Sequence, residues 1–163
     1  MLSSIPQPHT PPTVPPLHVA QLFKCDRQIT LAQCRQEVIK LKPVLEKYGA
    51  SQLGEWKWVL VSSQEWEVVL ASRGFSPNVT ALTALAVRTT FFDETLIEGS
   101  TGRLSQLMNA WHMSRNGLLD LAVRHELGHA FCRDDNEQRA VRNEGLLDEN
   151  QPPVCGSLRT PDR

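Results

Sequence analysis

From Leu31 onward the apolar residues return in steps of three and four: Leu31, Cys34, Val38, Leu41, Leu45 and Tyr48. That interval keeps them on one face of an α-helix. Thr30 followed by Gln33 has the form of a capping box and marks the start, and Gly49 is placed to end it. Pro43 is expected to kink the last turn or two. The pattern changes at Glu55 to Val61, E-W-K-W-V-L-V, a short run rich in strand formers that predicts a strand. Ser62 and Glu65 repeat the capping pattern and open a helix from about Ser63 to Arg73, with Gly74 behind it. Residues 76–83 read as loop. Leu85 to Ile97 is β-branched and aromatic and predicts one or two more strands. Gly99, Ser100 and Gly102 mark a turn, after which Leu104, Leu107, Met108 and Trp111 have helical spacing. A further helix starts after Ser114 or Asn116 and runs through Cys132. The order of helices and strands is that of an α+β domain.

The ends read differently. Residues 1 to about 22 contain six prolines, Pro6, Pro8, Pro11, Pro12, Pro15 and Pro16, which exclude helix and central strand. This is expected to be an extended leader with two P-x-x-P spacings, followed by a folded body over 23–150 and a flexible tail over 151–163. At 163 residues, 40% apolar and 21% charged, the chain has the composition of one globular domain. A net charge of −1 gives no general attraction to nucleic acid. No apolar run approaches the roughly 18 residues of a membrane span. The first residues lack the basic start and apolar stretch of a signal peptide. The compartment stays open between the cytoplasm and export through a missing leader. Cys25, Cys34, Cys132 and Cys155 form no C-x-x-C pair. They permit two local disulfides, Cys25–Cys34 and Cys132–Cys155, or four reduced thiols.

Chemistry concentrates in one stretch, Arg124 to Phe131, R-H-E-L-G-H-A-F. On a helix, residues four apart differ by about 40° in direction and about 6 Å in height, so His125 and His129 can aim at one point. Neutral imidazole suits zinc at about 2.0–2.1 Å. Glu126 flanks the pair, where a base is needed beside a zinc-activated water. Upstream, Leu118, Leu119, Leu121, Ala122 and Val123 make the helix apolar enough to bury. Gly128 inside it costs about 1 kcal/mol relative to alanine, which is reasonable if a neighbouring segment approaches closely. The plain alternative is two histidines packed on an amphipathic helix without metal.

"AVRHELGHAF", Ala122 to Phe131, resembles the active-site helix of the zincin metallopeptidases. The resemblance implies a helix packed under a short twisted sheet, a peptide or protein substrate along an edge strand, a Zn2+ cofactor, and hydrolysis with Glu126 as general base. A third protein ligand is then required. Were the helix to continue past His129, Glu137 would lie about 12 Å farther along its axis and out of reach. The turn-prone R-D-D-N of Arg133 to Asn136 offers a way back, with Asn136, or Asp135 together with Gln138, capping a last helix near Glu137. "NEQRA", Asn136 to Ala140, resembles the E-x-x-A segment of gluzincins and of compact bacterial zincin-type proteins. This implies Glu137 as ligand and Ala140 as a small packing residue. The metzincin pattern instead implies Asp135, though it would want a glycine where Cys132 stands. Glu144, Asp148 and Asp134 read as a solvated charged face. His112 and Tyr48, the remaining candidates for steadying an oxyanion, and the tryptophans Trp56, Trp58 and Trp66 read as structural. A zincin-like domain that binds metal without turning over substrate is the alternative function.

Overall fold

The computed structural model describes residues 21–98 and 101–156. Among these lie five α-helices and a four-stranded mixed sheet, an α+β architecture. The strands are β1 (Leu22–Cys25), β2 (Lys57–Val61), β3 (Ala81–Ala84) and β4 (Thr89–Asp93). The helices are α1 (Leu31–Lys47), α2 (Ser63–Arg73), α3 (Thr101–Trp111), α4 (Arg115–Cys132) and α5 (Glu137–Asp148). The sheet order is β1-β2-β4-β3, with β1, β2 and β4 parallel and β3 antiparallel at one edge.

Local chemistry sets most boundaries. Thr30 and Gln33 make both halves of the capping box on α1. The Ser62 hydroxyl accepts from the Glu65 N–H at the start of α2, and Gly74 ends that helix in the left-handed conformation. Helix α1 runs through Pro43 to Lys47, although proline removes the bond that the Ile39 carbonyl would have accepted. Strand β2 alternates, with Trp58 and Leu60 buried and their neighbours half-buried. Trp58 stacks on Phe92 of β4, and both join Leu41 and Leu45 of α1 and Val123 and Leu127 of α4 in one core. Trp56, Trp58 and Trp66 are all buried, as core residues. Burying each of these large apolar side chains contributes about 1.5–3 kcal/mol.

Four expectations need correction. The loop over 76–83 is in part a strand: β3 occupies Ala81–Ala84. Two of its four residues are alanine, a weak strand former, and it exists through pairing with β4, Ala81 opposite Phe92 and Thr83 opposite Thr90. Strand β1 starts at Leu22, the last residue assigned to the leader, and parallel pairing with β2 orders it. Gly102 is not in a turn but in the first turn of α3; Gly99 and Ser100 lie outside the described residues, as do residues 1–20 and 157–163. The tail is tied to the body as far as it is described. Buried Asn143 of α5 bonds both the N–H and the carbonyl of Val154, and Cys155 is bridged to Cys132. A second disulfide, Cys25–Cys34, joins the end of β1 to α1. No helix among the described residues is long and apolar enough to cross a membrane.

Candidate metal centre

Helix α4 carries the site because its length is buried. Ser114 caps it by accepting from the Gly117 N–H. Leu118, Leu119, Ala122, Val123, Leu127 and Ala130 face the core. After Cys132 the chain reverses at Arg133, a non-glycine residue in the left-handed region (φ 50°). Asp134 then folds back on the helix: its N–H reaches the His129 carbonyl at 3.3 Å. Asn136 alone caps α5, its side chain accepting from the Arg139 N–H at 2.9 Å. The Asp134 carboxylate pairs with Arg139. Glu137 is thus the first residue of α5, and α5 packs closely against α4. A Cβ on Gly128 would stand 3.0 Å from the Ala140 carbonyl oxygen and 3.1 Å from its Cα. Gly128 and Ala140 are small because the two backbones meet there.

This reversal brings Glu137 to the histidines. Its Oε2 lies 2.9 Å from His125 Nε2 and its Oε1 3.2 Å from His129 Nε2. The three residues each offer a ligand atom within 4.8 Å of the others. Asp135 lines the same cavity but does not join this trio. Around tetrahedral zinc, donors at about 2.1 Å from the ion sit about 3.4 Å apart; the His129 contact at 3.2 Å is near that spacing, and the His125 contact at 2.9 Å is of hydrogen-bond length.

The outer nitrogens of both rings are engaged. His129 Nδ1 is 2.9 Å from the Asp134 carbonyl oxygen, and His125 Nδ1 is 2.9 Å from Glu144 Oε2. A carbonyl oxygen only accepts, so His129 carries its proton on Nδ1 and turns the Nε2 lone pair inward. The Glu144 carboxylate orients His125 in the same way. With His125 neutral as well, two imidazole lone pairs and a carboxylate face one another, and such a set is repulsive without a positive charge between them. A proton on His125 relieves one contact. A divalent cation relieves all of them, so the donor set fits zinc. Glu144 is therefore not on a solvated face: it orients a candidate ligand. Its signal in the sequence is its spacing from Glu137, seven residues or about two helical turns on the same face of α5.

No protein-family model, no curated protein and no solved structure matches the chain.

Two titrations follow from this geometry. Burial alone would lower the His125 pKa. The Glu144 hydrogen bond, with the charges of Glu126, Glu137 and Glu144, outweighs it and raises the value to about 8. Burial raises the Glu126 pKa, opposed by the Thr83 hydrogen bond and the two histidines. The trio, Glu126 and Glu144 open on a cavity of about 500 Å³, walled by edge strand β3, by Leu118, Leu121 and Ala122 of α4, and by Phe75 and Trp111. Neither His112 nor Tyr48 lines it. His112 is exposed after the end of α3, and the Tyr48 hydroxyl donates to Asp120 at 2.7 Å.

Proposed function

We propose that the chain is a zinc-dependent peptide hydrolase of the zincin type, with His125, His129 and Glu137 as ligands and Glu126 as general base. The supporting observation is the convergence of three lone-pair donors whose outer atoms are already held: His125 by Glu144 and His129 by the Asp134 carbonyl. Zinc held there would supply Lewis acidity to the attacking water and the scissile carbonyl. Glu126, buried beside His125, would take a proton from the attacking water as the water oxygen joins the peptide carbon. It then gives the proton to the leaving nitrogen as the C–N bond breaks, so that a carboxylate and an amine leave. Antiparallel strand β3, at the sheet edge and along the cavity, offers its outer backbone to an extended peptide. Cleavage of a broad peptide library by the zinc-loaded protein, lost in Glu126→Gln while zinc is retained, is the expected result. A library left intact, or cleaved equally by Glu126→Gln, overturns the reading.

One observation favours a second reading, a metal-binding interaction module without turnover. Among the described residues that line the cavity there is no lysine, arginine or tyrosine and no third histidine, so no side chain of the usual kinds stands ready for a developing oxyanion. Stoichiometric zinc together with an uncleaved library would select this module.

A further inference from the structure

Glu126 is the end of a hydrogen-bonded chain that begins in the core. The Trp56 indole N–H donates to Thr90 Oγ1 at 3.0 Å. The hydroxyls of Thr90 and Thr83 are 2.9 Å apart. Thr83 Oγ1 donates to Glu126 Oε2 at 2.6 Å. An indole N–H can only donate, and each hydroxyl has a single proton. Thr83 gives its proton to the carboxylate, so between the two threonines Thr90 must be the donor. Thr90 in turn receives from Trp56. With Glu126 ionised, as a base must be, the direction is therefore fixed along the whole chain, from Trp56 to Glu126. Trp56 is 3% exposed and Thr90 is fully buried, so water does not compete for the bond between them, while Thr83 is half-buried at the cavity wall. Glu126 Oε1, by contrast, has no hydrogen-bond partner among the described residues, and Glu126 lines the cavity.

We propose that Trp56, Thr90 and Thr83 form a one-way hydrogen-bond relay that anchors Glu126 in a single orientation, with Oε2 held and Oε1 turned to the cavity. The role of that orientation in proton transfer rests on the hydrolase reading above; the anchoring does not. Thr83 and Thr90 are a directly opposed pair across β3 and β4, so the relay also fixes the edge strand against α4. Successive bonds of one polarity strengthen one another, and a positioned base acts only where its free oxygen meets the water. Thr83 is thus a positioning residue. Valine would keep its shape and remove its proton.

The test uses the full-length zinc-loaded protein. Thr83→Val should lower kcat about 10- to 100-fold with KM within about two-fold, and Thr83→Ser should recover most of the loss. Thr90→Val, which leaves Thr83 able to donate but without its own donor, should lower kcat by a smaller factor. A second readout needs no turnover. The NMR signal of the Trp56 indole N–H, assigned by its loss in Trp56→Phe, should shift in both Thr83→Val and Glu126→Gln. A purely packing role for Thr83 leaves that signal in place. A wild-type kcat in Thr83→Val, or an indole signal that moves in neither variant, overturns the proposal. If the wild-type protein cleaves no peptide yet the indole signal moves as stated, the hydrolase reading fails and the anchoring stands.

Discussion

Replacing Gly128 with alanine places a methyl group where α4 and α5 touch. The added Cβ would meet the Ala140 carbonyl oxygen at 3.0 Å, the Ala140 Cα at 3.1 Å and the Asn143 Cβ at 3.3 Å. The two closest atoms are backbone, so they cannot swing aside. Ordinary contact begins near 3.4 Å, so α5 must retreat by roughly 0.3–0.4 Å. Alanine in a helix interior gains about 1 kcal/mol over glycine, while overpacking of this kind costs about 1–3 kcal/mol. The net expectation for the metal-free protein is a loss of about 0–2 kcal/mol. The effect on metal should be larger than the effect on fold. Glu137 is rooted on α5 three residues before Ala140, and His125 and His129 are rooted on α4. Zinc sites tolerate distance errors of about 0.2 Å, so separating the helices should weaken zinc about ten-fold or more. Denaturant melts of the metal-free protein and a competitive zinc titration measure the two effects separately. A Gly128→Ala protein that is about 1 kcal/mol more stable and binds zinc as the wild type does would refute the close-contact argument.

Three other outcomes follow. His125 of the metal-free protein has its pKa raised to about 8, so below that pH zinc must displace a proton. Apparent zinc affinity should fall by up to about ten-fold per pH unit as pH drops below 8, with proton release measurable by calorimetry in buffers of different ionisation enthalpy. Glu37 is 1% exposed, and burial, then the hydrogen bond and like charge of Glu94 and the charge of Glu98, raise its pKa to about 8, against Lys40. A raised folded-state pKa means that stability is fully present below the ordinary carboxyl value and is lost as pH rises to about 8. Glu37→Gln should therefore be the more stable protein at pH 8 by on the order of 3–5 kcal/mol, and the difference should vanish near pH 4. Joining Cys132 to Cys155, 23 residues apart, should contribute about 3 kcal/mol by restricting the unfolded chain. A Cys132→Ser, Cys155→Ser protein that melts unchanged in denaturant would contradict that.

What was legible in the sequence was what local rules decide. Thr30, Ser62, Ser114 and Asn136 cap helices because their side chains answer free N–H groups nearby in the chain. The spacing of His125 and His129 needed only helix geometry, and Gly128 signalled a close approach before its partner was known. What escaped depends on residues distant in sequence. Strand β3 is ordered by β4, and β1 by β2, neither by its own composition. The same holds at the site. Glu144 looks like one more surface acid until α5 folds onto α4 and sets it against His125. Thr83 and Thr90 look like ordinary strand residues until their pairing joins Trp56 to Glu126. Between Glu137 and Asp135 the sequence left a choice, because which acid returns depends on the turn at Arg133 to Asn136.

On the reading proposed above, His125, His129 and Glu137 hold one zinc ion. Zinc stoichiometry and affinity, measured on the wild type, His125→Ala, Glu137→Gln and Asp135→Asn after removal and re-addition of metal, test it most directly. One zinc per chain is expected in the wild type, with affinity lowered at least about 100-fold in His125→Ala and Glu137→Gln and little changed in Asp135→Asn. A wild-type protein that holds no stoichiometric zinc, or one that keeps its zinc without Glu137 and loses it without Asp135, would rule out this ligand set.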